Sequence, residues 1–193
     1  MRSPCILRVI TAVYLATVIA MSDTGDFVAE DFSALPSIKK FLNTTDPIWT
    51  YNSSERTTIL CKVDQNRVTT EDTYSFNWSY YHGYLNWTTL HGEGKFQPED
   101  TAKLNVSSQE YSEELLFTDK YETCAIILVT PLNTGSQAWY EHLVKNSSIT
   151  KRKNKNCTNF FQKKTTRGRK VYRSRCLRML NIGNATYSRW ELH

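Results

Sequence analysis

The 193-residue sequence has no GxSxG, no HExxH and no glycine-rich phosphate loop, and it contains only seven glycines and five prolines. These absences remove the familiar serine-hydrolase, zinc-protease and nucleotide-binding constellations. No CxxC pair occurs, and the cysteine spacings match no zinc site, so no metal and no cofactor are expected. The four histidines, His82, His91, His142 and His193, are scattered along the chain. With every mature cysteine paired, nucleophilic catalysis has no obvious actor, and the chain reads as a binder rather than an enzyme. Beyond the N-terminus no stretch approaches 18 consecutive apolar residues, so no membrane-spanning helix is expected there. There is no internal repeat and no sign of a second domain.

The chain opens MRSPCILRVITAVYLATVIAMSD, a basic flank, an apolar stretch and small residues near positions 20 and 22. That is the pattern of a secretory signal peptide over residues 1–22, which takes Cys5 with it and leaves one domain over residues 23–193. A secreted, extracellular location is therefore expected. Cys61, Cys124, Cys157 and Cys176 remain, an even number suited to two disulfides, with three connectivities open. Eight of the thirteen asparagines begin Asn-x-Ser/Thr sequons: Asn43, Asn52, Asn77, Asn86, Asn105, Asn146, Asn156 and Asn184. Chance would give about three, so a heavily glycosylated protein is expected.

Charge is segregated. Residues 23–150 hold nine basic and eighteen acidic side chains, net −9, and residues 151–193 hold thirteen basic and one acidic, net +12. So concentrated a basic end invites an anionic partner, a glycosaminoglycan or a membrane surface, with a solvated face complementing the acidic body as the alternative. Nucleic acid is not expected as a partner outside the cell.

DFSALPSIKKFLNTTDP reads as one short helix with Ile38, Phe41 and Leu42 on a common face. The period then changes. IWTY, TTILCKV, TYSFNWSYY, LNWTTL, KLNV, EELLF, YETCAIILV and AWYEHLV are short, β-branched and aromatic, recurring roughly every ten residues. LNTGSQ reads as a hairpin turn, HGEGKF as another turn, NCTNFFQKKTT as a short helix, and Cys176 as part of an extended basic segment. Eight antiparallel strands after one helix predict an all-β, up-and-down barrel; an immunoglobulin-like sandwich is the competing all-β form.

Sequons phase the strands, because a glycan faces solvent and strand side chains alternate. Asn77 outward turns Tyr74, Phe76, Trp78 and Tyr80 inward; Asn52 outward turns Trp49 and Tyr51 inward; Asn86 outward turns Leu85 and Trp87 inward; Asn146 places Trp139 and Leu143 inside. If Cys124 points outward, Ala125, Ile127 and Val129 face inward. A barrel of this size is either filled by side chains or holds one small ligand, and an aromatic interior with hydroxyl handles suits the second.

The short helix, DPIWTYNSSERTTILCKVD, YETCAIILV, the NCTNFF helix and the late cysteine resemble the tick salivary lipocalins of the histamine-binding superfamily. The sequons and KFLNTTDPIWTYN are most similar to the Japanin-like immunomodulatory group. The resemblance implies an eight-stranded lipocalin barrel with Cys124–Cys157 and Cys61–Cys176 disulfides. Amine-binding members tend to carry an Asp after the strand cysteine and a later Glu, where this chain has Ala125 and Gln137. A buried ammonium needs a carboxylate partner, so histamine or serotonin is disfavoured. The resemblance then implies a sterol such as cholesterol, enclosed by Trp49, Tyr51, Tyr74, Phe76, Trp78, Trp87, Ala125, Ile127 and Trp139, and host immune cells, dendritic cells above all, as the target. A fatty acid or leukotriene would instead want an inward cation, with Arg56, Lys62 and Arg67 as candidates and Lys103 phased outward. A purely protein-binding immune evasion factor is a further alternative.

Overall fold

The computed structural model describes residues 37–82, 87–98, 100–150 and 155–180. The leader assigned to residues 1–22 and the sequons at Asn86 and Asn184 lie outside them. Helix α1 (Ile38–Leu42) leads into eight strands: β1 (Ile48–Ser53), β2 (Leu60–Thr69), β3 (Thr73–Tyr81), β4 (Trp87–Gln97), β5 (Thr101–Val106), β6 (Gln109–Thr118), β7 (Cys124–Pro131) and β8 (Trp139–Lys145). Each strand pairs antiparallel with the next, and β1 pairs with both β2 and β8, which closes the barrel. After a short 3-10 turn come α2 (Lys155–Lys164), β9 (Arg169–Lys170) beside β1, and helical residues 175–180, here α3. Cys176 thus sits on a helix rather than in the extended segment expected.

The wall carries apolar side chains on both faces. Inside, Phe76, Ala125, Ile127, Val129, Trp139 and Leu143 join Ile38, Phe41 and Leu42 of α1 in one core. The α1 helix closes the end of the barrel at the β6–β7 turn, where Lys40 pairs with Glu122 at 2.8 Å. Asp119 shapes that turn: one carboxylate oxygen accepts from the Thr123 and Cys124 amides (2.6 and 3.0 Å), and the other from the Thr123 hydroxyl (2.7 Å). Outside, Trp49, Val63, Ile126 and Val144 form a second core with Phe161 of α2, Tyr172 and Leu180. Phe160 stacks on Phe117 at 4.8 Å, so α2 lies on the outer wall with its apolar stripe inward.

Two disulfides fasten this outer layer, Cys61–Cys176 and Cys124–Cys157, the pairing the resemblance implied. Their sequence separations of 115 and 33 residues are long, and each bond contributes about 2–4 kcal/mol. Among the described residues no helix is long and apolar enough to cross a membrane.

Three residues expected in the lumen are on the other face. Trp49 is wholly buried in the outer core, where its Nε1 donates to Asn146 Oδ1 at 3.0 Å and its ring meets Tyr172 edge-on at 5.1 Å. Tyr51 stacks on Tyr172 at 6.0 Å, and Trp87 Nε1 donates to the Met179 carbonyl at 3.2 Å. The premise that an outward face is a wet face fails where α2, β9 and α3 cover the wall. Parity also breaks: the register of β1 against β8 slips between Thr50 and Asn52. Tyr51 and Asn52 therefore meet the same outward residue, His142, one by ring contact at 5.3 Å and the other by a 3.3 Å hydrogen bond.

HGEGKF is strand, not turn. Gly92 and Gly94 face inward on β4 opposite Phe76 and Tyr74. A Cβ at Gly94 would lie 2.2 Å from the Tyr74 ring, and one at Gly92 would lie 2.6 Å from Phe76. These glycines are where two lumen aromatics find room.

Candidate ligand-binding site

Strand β2 brings charge into the barrel. Its register slips twice, near Cys61 and Asn66, both at positive φ (53° and 51°). The first slip keeps Cys61 on the outer wall for Cys176, and Lys62 and Asp64 then face the lumen. The second brings Arg67 to the inside, where its guanidinium lies over the Tyr74 and Phe76 rings at 5.5 and 5.3 Å. On β8, Trp139, Glu141 and Leu143 share one inward face.

These groups form two ion pairs. Lys62 pairs with Glu141, both nearly fully buried, and its ammonium lies 4.6 Å above the Trp78 ring. Glu141 also accepts from Trp139 Nε1 at 2.8 Å and from the Thr50 hydroxyl at 3.1 Å, so both its oxygens are engaged. Arg67 donates to Asp64 at 3.0 Å, while its Nε is buried without a partner among the described residues. Burial alone would depress the Lys62 ammonium, but Glu141 and Glu55 beside it outweigh that and raise it. Asp64 is raised by burial despite Arg67.

Glu113 is the exception. Among the described residues no cation pairs with it, and the Tyr74 hydroxyl, 3.5 Å away, is its one hydrogen-bond partner. Loss of solvation in the lumen, reinforced by Asp64 and Glu141, pushes its carboxyl up to about 8, so it is largely protonated at neutral pH.

The cavity among Lys62, Asp64, Trp78, Tyr111, Glu113, Trp139 and Glu141 is small, about 30 Å³, room for about two waters. Next to it, at the end of the barrel away from α1, lies a recess of about 670 Å³ bordered by Glu55, Arg56, residues 134–140 and Arg167. Tyr111 and Trp139 line both spaces and meet edge-on at 6.0 Å, forming the partition between mouth and lumen.

Of the nine residues expected to surround a ligand, Tyr74, Phe76, Trp78, Ala125, Ile127 and Trp139 share the lumen, and Trp49, Tyr51 and Trp87 do not. Among the cations weighed for an acidic ligand, Lys62 and Arg67 are inside, whereas Arg56 and Lys103 are exposed. Ala125 and Gln137 are not acids, as the disfavouring of an amine supposed, but the lumen takes three carboxyl groups from other positions, Asp64, Glu113 and Glu141. Glu141 was legible: it shares the parity of Trp139 and Leu143, two residues to either side. Among the described sequons, Asn43, Asn105 and Asn156 are exposed, and Asn52, Asn77 and Asn146 are half-buried.

No family model and no curated protein matches this sequence. Solved structures do. A complex of AM182 with serotonin is 18% identical, with a TM-score of 0.56 over 76% of this chain and 95% of that one. Lobster apocrustacyanin A1 is 12% identical, with a TM-score of 0.54 over 70% of this chain and 79% of that one. Japanin from Rhipicephalus appendiculatus bound to cholesterol is 14% identical, with a TM-score of 0.51 over 74% of this chain and 99% of that one. At such identities the likeness is one of fold, and that fold is the lipocalin barrel.

Proposed function

We propose that this chain, a lipocalin by fold, binds a small organic amine with an aromatic or apolar body where the mouth recess meets the lumen. The observation that carries the reading is the charge inside the barrel: three carboxyl groups, Asp64, Glu113 and Glu141, line the cavity against two cations, Lys62 and Arg67, the second already paired with Asp64, within aromatic walls. Glu141 is already neutralised by Lys62, which leaves Glu113 as the acid without a counter-charge. An incoming ammonium beside Glu113 restores the missing partner, and Trp78, Tyr111 and Trp139 offer ring faces to a cation and to a flat body. Tyr111 and Trp139 swing aside on entry, since the cavity alone is too small for such a molecule.

Titration calorimetry on stripped protein, with serotonin and histamine as probes, tests this. Because Glu113 is largely protonated at pH 7, binding of an ammonium there expels close to one proton per ligand, read from the dependence of the heat on buffer. Micromolar or tighter binding with proton release, both lost in Glu113→Gln, is the expected result. Binding unchanged in Glu113→Gln, or no binding of either amine, overturns it.

A neutral sterol is the second reading, favoured by the wholly apolar inner faces of β5 and β7 at Leu104, Val106, Ala125, Ile127 and Val129. Cholesterol uptake without amine binding in the same experiment would select it. Secretion rests on the signal-peptide pattern of residues 1–22 and the even cysteine count, action on host immune cells rests on the family resemblance, and a dendritic-cell maturation assay with purified protein tests the latter.

A further inference from the structure

We propose that the C-terminal segment is a docking strip for a linear sulfated polysaccharide. Residues 155–180 contain nine basic side chains and no acid. Eight of the nine, all but Arg169, are exposed, and among the described residues none of them is in an ion pair. A charged tail is ordinarily a solvated tail, but this one is part of the wall. Cys157 and Cys176 bond it to β7 and β2, the Val171 and Tyr172 amides donate to the Tyr51 carbonyl (3.0 and 3.2 Å), and the Arg169 guanidinium donates to the Ile59 carbonyl at 2.7 Å. The exposed cations are thus held at fixed spacing along one path. Lys163 and Lys164 end α2, Arg167 reaches the mouth rim that Arg56 also borders, Lys170 lies beside β1 over Tyr51, and Arg173, Arg175 and Arg178 follow around α3.

The shape of the charge favours a thread over a plane. The described body that carries the strip, residues 37–82, 87–98 and 100–150, holds nine basic and thirteen acidic side chains, net −4, so a flat anionic membrane pressed against it would also meet repulsion. The segment's apolar residues Phe161, Val171, Tyr172 and Leu180 are buried in the outer core, and Phe160, Leu177 and Met179 pack partly buried against it, so the described segment presents no exposed apolar wedge to a bilayer. A linear polyanion can follow the strip and avoid the body. Preorganised cations lose little entropy on binding it, which is what the two disulfides provide.

The test uses the full secreted protein on immobilised heparin, with desulfated heparin and phosphatidylserine–phosphatidylcholine vesicles in parallel. Elution well above the about 0.15 M salt of physiological medium, with no retention on the desulfated polymer, is expected. Lys163→Ala/Lys164→Ala/Arg167→Ala should weaken binding at least about tenfold, whereas Lys95→Ala/Lys103→Ala, removing two exposed cations of the barrel wall, should leave it within about twofold. Elution at or below physiological salt, equal loss in both variants, or vesicle binding in place of heparin binding each overturns the proposal. Circular dichroism and a non-reducing peptide map check that both variants are folded and correctly bonded.

Discussion

Glu141→Gln probes the charged lumen most directly. The side chain keeps its shape, and its amide can still meet the same neighbours: the carbonyl oxygen accepts from Trp139 Nε1, and the new NH2 points toward the Thr50 hydroxyl. What disappears is the charge. Lys62, 8% exposed and lying over Trp78, becomes a cation enclosed without its main partner. Breaking a buried pair in this way costs about 3–5 kcal/mol. Glu55 and Asp64 also act on Lys62 and compensate in part, so the lower end, about 3 kcal/mol, is expected. For a domain of this size that lowers Tm by roughly 6–12 °C. Urea unfolding with the disulfides intact measures the loss. The decisive comparison is the double variant Lys62→Met/Glu141→Gln, which removes the orphaned cation and should recover most of the stability, because an apolar replacement of a buried pair is near neutral. A single variant within about 1 kcal/mol of the parent, or a double variant no better than the single, would refute the buried-pair argument.

Two further outcomes follow from the same geometry. Glu113, held near 8 when folded, stabilises below the ordinary carboxylate range and loses that contribution as pH rises toward 8; His142, held near 4 by burial, stabilises above about 6.5 and loses its contribution as pH falls toward 4. The two oppose each other at mildly acidic pH, so the unfolding free energy should fall mainly between pH 6.5 and 8, by up to roughly 1.4 kcal/mol per pH unit, and Glu113→Gln should flatten that fall. Gly94→Ala places a methyl 2.2 Å from the Tyr74 ring and should cost about 1–3 kcal/mol in the same unfolding assay, whereas Gly135→Ala, with open space around it, should cost only what its positive φ imposes.

Every strand of the barrel, α1 and α2 were legible in the sequence, because β-branched and aromatic runs between short polar joints leave few other arrangements. Facing was legible only where strands are regular. On β7 and the inner half of β3, alternation alone puts Ala125, Ile127, Tyr74 and Phe76 inside. On β1 and β2 the bulges reset it, and nothing in TYNSS or DQNRV marks the residue at which the register slips. Gly92 and Gly94 misled in another way: local propensity reads them as a turn, and only the cross-strand rings of Phe76 and Tyr74 explain them within a strand. The outer layer was hidden for a related reason. β9 is two residues long, and its place beside β1 follows from the Cys61–Cys176 bond and the Tyr51 carbonyl, both distant in sequence.

That outer layer bears on why the lumen is charged at all. A barrel whose interior held well-packed apolar residues in place of Lys62, Glu141, Asp64 and Arg67 would be at least as stable, since buried ion pairs seldom repay their desolvation. This chain instead places large aromatics, Trp49, Tyr51 and Trp87, on the outside of the wall, beneath a segment bound by two disulfides. Stability drawn from that outer core does not depend on filling the lumen. The interior is then free to keep polar groups that a simple one-layer barrel would tolerate less well. Tyr111 and Trp139, the partition between lumen and mouth, pack with the inner core and not with the outer one. They can move to admit a ligand while the outer core stays intact, a division between a rigid shell and an adjustable interior.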